Sequence, residues 1–144
     1  MLIDAREIVL ADVSEVALAR AGNRLPGARV VALSPDQRLP LPDNAFDLVL
    51  CTDTIEHVRD VQLLLSEIRR VLRPGGRLAI STPWHGRPLA IGVLLGGFER
   101  YFDPRSPHLR FFTKKSLAEL LDDLGFGVGR LERHGAGLFA VANR

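Results

Sequence analysis

The chain contains very little cysteine. Only one of its 144 residues, Cys51, carries a thiol. An internal disulfide needs two thiols, so a small extracellular fold held together by disulfides is excluded. A lone thiol is typical of a reducing compartment, and we expect the protein in the cytoplasm.

The chain also lacks an excess of one charge and a long apolar run. Its 19 basic and 17 acidic residues are spread along the sequence, so no basic stripe indicates a nucleic-acid partner. The longest apolar run, Leu89–Phe98, is about half a membrane span, and the N-terminus shows no export signal. We therefore expect no membrane span. With 47% hydrophobic residues, the 144 residues suffice for one core, so residues 1–144 are predicted to form one domain.

What the sequence does contain is an alternation of strand and helix patterns. Continuous apolar runs predict buried strands at Glu7–Ala11, Ala28–Leu33, Phe46–Cys51 and Arg77–Ser81, and a final antiparallel pair at Val128–Arg133 and Leu138–Ala142. Helices are predicted to follow the capping residues Ser14, Asp60 and Thr113. The stretch Pro83–Phe112 shows neither pattern and is predicted to be irregular. Alternation of this kind predicts an α/β fold with a doubly wound, mostly parallel sheet and an antiparallel last strand.

Polar side chains follow the third predicted strand directly. Asp53, Glu56 and His57 come within six positions of its end, and ligands of parallel sheets bind beyond the carboxyl ends of the strands. If the segment forms a helical turn, this spacing places all three side chains on one side. The alternative is that Asp53 or Thr52 only caps the turn, while the other side chains are solvated.

Three segments resemble a known family. The string LPLPDNAFDLVLCTDTIEHVRDVQLLLSEIRRVLRPGGRLAISTP, Leu39–Pro83, is similar to the central motifs of class I S-adenosylmethionine-dependent methyltransferases, especially the quinone-biosynthesis group. The string HLRFFTKKSLAELLDDLGF, His108–Phe126, resembles the segment before their last strands, and VLADVS, Val9–Ser14, resembles the end of their second strand. The resemblance implies a Rossmann-like fold and methyl transfer from S-adenosylmethionine to a small-molecule acceptor.

The resemblance also implies a set of cofactor-binding residues. Asp12, followed by Val13, matches the acidic residue whose two oxygens accept hydrogen bonds from the ribose hydroxyls. The alternative role for Asp12 is an additional capping acceptor. Asp36 stands one place after the position that contacts adenine in the family. Cys51 and Thr52 would line the methionine end of the cofactor.

The catalytic residues implied by the resemblance are His57 and Glu56. His57 would act as a general base, because an imidazole titrates near neutral pH. Some relatives with an acidic residue, two spacers and a Glu-His pair are thought to hold Mg²⁺, and Asp53, Glu56 and His57 match that pattern. Since an imidazole is a poor ligand for Mg²⁺, we expect no metal. The aromatic residues between Trp84 and Phe112 would either shape an apolar substrate pocket or fill the core.

One expected motif is missing. The family places a glycine-rich turn after its central first strand, and neither precedes Asp12 in this sequence. In the family's strand order the strands near Glu7 and Phe46 would share that first strand as a neighbour. One interpretation is a methyltransferase whose first strand lies upstream of Met1; the alternative is a non-catalytic binding domain whose sheet is completed by another chain or a second copy. A nicotinamide-dependent enzyme would also use a carboxylate such as Asp12 to bind a ribose, but it would not have the downstream motifs. In either case we expect the 144-residue chain alone to bind S-adenosylmethionine weakly or not at all.

Overall fold

The computed structural model describes residues 6–98, 101–103 and 105–144, without the side chains of 87 and 88. The chain divides into two compact units, Met1–Pro40 and Leu41–Arg144. No helix in the part of the chain described has the length and apolar content needed to cross a bilayer.

The first unit contains two parallel strands and one helix. Strand β1 (Val9–Asp12) pairs in parallel with β2 (Arg29–Ala32), and helix α1 (Glu15–Arg24) connects them. The predicted cap is confirmed, because the Ser14 side chain accepts a hydrogen bond from the backbone N–H of Ala17 at 3.2 Å. The predicted burial of the second strand is wrong: Val30 is 47% exposed. The reason is that, in the described part of this unit, α1 is the one helix that packs on the two strands, so it can cover only one face of their sheet.

The second unit is built on a sheet of four strands. Its elements are β3 (Phe46–Thr52), α2 (Val61–Val71), β4 (Leu72–Pro83), α3 (Arg87–Gly96), α4 (Lys114–Asp123), β5 (Gly127–His134) and β6 (Gly137–Asn143). The strand order is β3-β4-β6-β5, with β3 parallel to β4 and β6 antiparallel to both of its neighbours. The predicted parallel pairs and the antiparallel last strand are confirmed.

Helix α2 leads directly into β4, which begins earlier than the sequence indicated. The helix starts after its predicted cap, Asp60, whose carboxylate accepts from the N–H of Leu63 at 2.8 Å. It ends at Val71, and β4 begins at Leu72 rather than Arg77. The Pro-Gly-Gly segment lies inside β4 as an irregularity, because the register with β3 shifts between the pairs Phe46–Leu72 and Leu48–Arg77.

Helix α3 lies within the stretch predicted to be irregular, so that prediction is wrong. Gly86 precedes the helix, a proline occupies its first turn, and Gly97 ends it with a φ of 83°. Prolines are accepted in a first turn, and glycine adopts positive φ without strain. The helix exposes large apolar side chains instead of presenting a single buried face, so its sequence lacks the amphipathic period that normally reveals a helix; examples are Ile91, Leu94 and Leu95.

The core of the second unit packs against β4 and β6. Its fully buried side chains come from the turn after β3, from α2, β4 and α4, and from the last strands, and include Ile55, Leu65, Leu78, Ile80, Leu117, Leu121, Phe126 and Leu138. Strand β3 is the end strand of its sheet, and its Leu50 is 61% exposed. In the described residues β1 belongs to the two-stranded sheet of the first unit and β3 to the four-stranded sheet of the second.

Candidate functional site

The carboxyl ends of β3 and β4 are joined by hydrogen bonds through Asp53. Its backbone N–H donates to the Ser81 carbonyl at 3.0 Å, and its carboxylate accepts from the Ser81 hydroxyl at 3.2 Å. Asp53 has a φ of 46°, a left-handed conformation in which aspartate is tolerated. The residue therefore bends the chain sharply out of the sheet.

A tight turn follows, and it keeps Glu56 and His57 together but leaves Asp53 outside the group of polar side chains that the sequence suggested. The Thr54 hydroxyl donates to the Thr52 carbonyl at 2.9 Å, and the His57 N–H donates to the Thr54 carbonyl at 2.9 Å. Glu56 is buried, whereas Asp53 and His57 are exposed. The turn thus directs Glu56 inward and leaves Asp53 engaged with Ser81.

The Glu56 carboxylate is the most unusual group in the second unit. It is 1% exposed, and its Oε2 accepts a hydrogen bond from the hydroxyl of Thr82, which is also buried, at 3.0 Å. Within the described residues its Oε1 has no hydrogen-bond partner. Burying a polar oxygen without a hydrogen-bond partner costs free energy, so a side chain of this kind at a strand end is a candidate for a functional role.

His57 lies beside that carboxylate in a fixed orientation. Its Nδ1 is 3.1 Å from the Pro107 carbonyl, which can only accept, so Nδ1 carries a proton and donates it. Its Nε2 is 3.8 Å from Oε1 of Glu56. The imidazole is therefore held by one nitrogen while the other faces the buried carboxylate.

The segment around His108 is fastened to this turn. The N–H groups of Leu109 and Arg110 donate to the Glu56 carbonyl at 2.7 and 3.3 Å, and the Arg110 guanidinium donates to the carbonyls of Val58 and Arg59. The His108 ring centroid lies 4.8 Å from that of His57. Sequence reasoning counted His108 among the residues that would shape a pocket or fill the core, but did not place it beside His57, because about 50 residues separate the two imidazoles and only the fold brings them together.

A cavity of about 430 Å³ opens beside this cluster. Aromatic rings form much of its wall: Phe102 stacks on Phe98 at 4.5 Å between centroids and meets Phe111 edge-on at 4.8 Å. His85 and His108 also line it. Burial lowers the pKa of His85, so this ring is biased toward its neutral form. The cavity is therefore an open pocket with aromatic rings and imidazole groups in its wall.

The residues predicted to hold the cofactor lie in both units. In the first unit Asp12 ends β1, and its Oδ1 accepts from the N–H of Ser14 at 2.7 Å, so the alternative capping role is present. Val13 and Asp36 are exposed, and Asp36 sits at a turn with a φ of 53°.

In the second unit Cys51 and Thr52 form the end of β3, where Thr52 is exposed and Cys51 is buried. Burial raises the pKa of the Cys51 thiol to about 11, against the lowering effect of a hydrogen bond to Thr54. The Ser14 N–H engages only one carboxylate oxygen of Asp12, so the other oxygen can accept a hydrogen bond from a ribose hydroxyl. The Thr52 hydroxyl, at the end of its strand, is chemically suited to the amino acid moiety of the cofactor.

Comparison with known proteins agrees with this architecture. A protein of Mycobacterium tuberculosis named "Probable S-adenosylmethionine-dependent methyltransferase" is 38% identical over 127 residues, covering 85% of this chain and 41% of its own length. A ubiquinone biosynthesis O-methyltransferase of Nitrobacter winogradskyi is 33% identical over 88 residues, covering 58% of this chain and 33% of its own. The crystal structure of a SAM-dependent methyltransferase from Aquifex aeolicus superposes with a TM-score of 0.68 at 24% identity, covering 95% of this chain and 68% of that one.

The chain spans about two fifths to one half of the length of the first curated relatives it matches. The family model described as "Methyltransferase domain" matches residues 2–80, which is more than half of the chain. S-adenosylmethionine is the cofactor to which these matches point. The chain therefore belongs to the methyltransferase domain family and has its Rossmann-like, mostly parallel sheet with an antiparallel last strand.

Proposed function

We propose that the protein takes part in methyl transfer from S-adenosylmethionine to a small-molecule acceptor. The observation that carries the proposal is the polar cluster of Glu56, His57 and His108 beside an aromatic cavity, at the carboxyl ends of two parallel strands. Ligands of open α/β sheets bind at such strand ends. A cavity of about 430 Å³ is in the size range of small-molecule sites.

Five residues are proposed to bind the cofactor. Asp12 would accept hydrogen bonds from ribose hydroxyls, with Val13 beside it, and Asp36 would approach the adenine. Cys51 and Thr52 would border the methionine end; the neutral Cys51 thiol would offer packing rather than a nucleophile, because burial holds its pKa at about 11. S-adenosylmethionine supplies a methyl group bound to a sulfonium sulfur, and this sulfur leaves readily as a neutral thioether when the methyl group is transferred.

Glu56 and His57 are the proposed catalytic residues. His57 can take up a proton on Nε2, since Nδ1 already donates to the Pro107 carbonyl. The Oε1 atom of Glu56, 3.8 Å away, would stabilise the resulting imidazolium. An acceptor hydroxyl or acidic carbon loses a proton as it is methylated, so a base placed near the acceptor cavity suits this reaction. The aromatic rings favour an apolar, flat acceptor. We place this activity in the cytoplasm, in keeping with a single reduced thiol.

A second function is favoured by the exposure of β3. Leu50 is 61% exposed on an end strand whose sequence is apolar throughout its middle. Such an edge is a template for a further strand. In this alternative the domain binds another chain, or a second copy, through the β3 edge and performs no chemistry.

Measurement of cofactor binding separates the two functions. Equilibrium dialysis with labelled S-adenosylmethionine would compare the 144-residue chain with a version to which a strand and a glycine-rich turn are added before Met1, each with and without Asp12→Ala. The proposal expects weak binding by the shorter chain and tight, Asp12-dependent binding by the longer one. The matched control is Glu15→Ala, which removes a neighbouring carboxylate from the first turn of α1. Weak binding by both versions would overturn the methyl-transfer proposal and favour the binding domain.

A further inference from the structure

We propose that His108 is an acceptor-binding residue that donates a hydrogen bond to the oxygen atom to be methylated, and that the acceptor carries this oxygen as a hydroxyl group on an aromatic ring. Because this role concerns the acceptor of the reaction, it rests on the proposed methyl transfer. It gives a function to the imidazole of the polar cluster that so far has none. It also decides between a hydroxyl and an acidic carbon, the two kinds of acceptor that a base at His57 alone leaves open.

His108 lies where the polar cluster meets the cavity. One of its ring nitrogens is within 4.8 Å of a ring nitrogen of His57 and of a carboxylate oxygen of Glu56. Its side chain also lines the cavity of about 430 Å³, and it is the one member of the cluster among the described lining residues. A ligand in the cavity would therefore reach the cluster at His108.

The backbone on both sides of His108 is held by hydrogen bonds. Its own N–H donates to the Ser106 hydroxyl at 3.3 Å, and the N–H groups of Leu109 and Arg110 donate to the Glu56 carbonyl at 2.7 and 3.3 Å. A side chain that must orient a ligand requires such support, because small displacements weaken a directional contact. The position of this imidazole relative to the turn is thus fixed by the fold.

The cluster offers a ligand one hydrogen-bond donor and one lone pair. A neutral imidazole has one N–H group, and the neighbouring carboxylate does not use that of His108: Oε2 of Glu56 accepts from Thr82, and Oε1 accepts from no described residue. His57 donates from Nδ1 to the Pro107 carbonyl at 3.1 Å, so its lone pair is on Nε2. A hydroxyl group, which both donates and accepts, matches this pair of imidazoles.

The separation of the two imidazole nitrogens suits a single oxygen atom between them. An N···O hydrogen bond is about 2.9 Å long, so an oxygen bonded to two nitrogens at the 4.8 Å limit would make an angle of about 110° with them. That angle is close to the angle between the bonding directions of a hydroxyl oxygen. The hydroxyl would donate to Nε2 of His57 and accept from the N–H of His108.

The number of lone pairs selects oxygen as the methylated atom. A hydroxyl oxygen has two lone pairs, so one can accept from His108 while the other attacks the methyl carbon. A neutral amine nitrogen has only one lone pair, and a carbon acceptor has none to share. As the O–C bond forms, the S–C bond breaks, the hydroxyl proton passes to Nε2 of His57, and the sulfur leaves as a neutral thioether. His108 keeps its proton and stabilises the negative charge that develops on the oxygen.

The remaining wall of the cavity favours an uncharged aromatic ring as the carrier of the hydroxyl. Phe98, Phe102 and Phe111 contribute rings that contact one another at 4.5 and 4.8 Å between centroids. The acidic residue of the wall, Asp103, is paired with Arg105 at 2.8 Å. Aromatic rings pack well against the flat faces of another ring. The acceptor class is therefore a phenol-like compound.

The competing role for His108 is packing alone. Its ring lies 4.8 Å from that of His57, with 55° between the ring planes. His108→Phe would keep a ring at this place and remove the N–H group, whereas His108→Gln would remove the ring and keep an N–H donor. His134 provides a matched control, since it is an exposed histidine that also contacts a carboxylate, with Nε2 3.2 Å from Oε2 of Glu132.

The experiment measures binding of 2-naphthol and of naphthalene to the 144-residue chain by fluorescence, without S-adenosylmethionine. The two probes share their rings and differ by one hydroxyl group. We expect His108→Phe to lower the affinity for 2-naphthol about fivefold and to leave that for naphthalene unchanged, since one hydrogen bond is lost. His108→Gln should retain part of the affinity for 2-naphthol, and His134→Asn should bind both probes as the unaltered protein does. A circular dichroism spectrum of each variant establishes that it folds.

Three results would overturn the role of His108 and leave the proposed methyl transfer standing. They are an unchanged affinity of His108→Phe for 2-naphthol, an equal loss for both probes, which would assign packing to His108, and an equal loss in His134→Asn. Failure of both probes to bind the unaltered protein would instead overturn the acceptor cavity, and with it the observation that carries the proposed function.

Discussion

Replacement of Thr82 by valine should destabilise the protein through Glu56. The substitution keeps the shape of the side chain and removes the hydroxyl that donates to Oε2 at 3.0 Å. Oε1 already lacks a partner, so the variant would bury a carboxylate without any hydrogen bond from a described residue. A hydrogen bond to a charged group contributes about 1.5–3 kcal/mol, and we expect the free energy of unfolding to fall by about 2 kcal/mol.

Urea unfolding can measure this change through Trp84, the single tryptophan, which reports on the second unit. For a urea dependence of about 2 kcal/mol/M, the midpoint should shift by roughly 1 M, with a chelator present to exclude metal. Thr82→Ser is the control. It keeps the hydroxyl and loses one methyl group, at a cost of about 1 kcal/mol. If Thr82→Val were as stable as Thr82→Ser, packing rather than the bond to Glu56 would dominate, and the reasoning would be refuted.

Three further predictions follow from individual side chains. Asp12→Ala, in a version of the protein that binds S-adenosylmethionine, should weaken binding by about 1.5–3 kcal/mol, and calorimetry showing unchanged affinity would rule out the ribose role. His57→Gln should lower turnover far more than cofactor affinity; equal activity would leave the residue with a structural role only. Burial raises the pKa of Cys51 from 9.0 to about 11, so the folded state retains a proton that the unfolded state releases. The free energy of unfolding should therefore be constant below pH 9 and fall by up to about 3 kcal/mol as the pH rises to about 11. In urea unfolding, Cys51→Val should not show this fall. An identical pH dependence in both proteins would contradict the burial argument.

The features that the sequence predicted well depend on neighbouring residues. Helix caps are an example, since a hydroxyl or carboxylate bonds to an N–H group three positions later. Ser14, Asp60 and Thr113 all make that bond. The parallel strand pairs were also predictable, because strands that alternate with helices cross over in one direction.

The features that the sequence did not predict depend on distant residues. The Pro107 carbonyl that orients His57 lies 50 positions away along the chain, and the Thr82 hydroxyl lies 26 positions from Glu56. No spacing rule connects such residues. Helix α3 was missed for another reason: its apolar side chains are exposed, so the contrast between faces that identifies a helix is absent.

Strand β3 has the sequence of a central strand but lies at the end of its sheet in the described residues. Natural end strands carry charges or proline in their middle to discourage further pairing. Between Asp47 and Asp53 the strand has no charged residue, yet it ends its sheet with Leu50 exposed. This sequence suits a strand paired on both edges. We therefore expect a strand supplied along the free edge of β3 to raise the free energy of unfolding of the second unit, and urea unfolding would measure that change; an unchanged midpoint would show that the edge is stable without a partner.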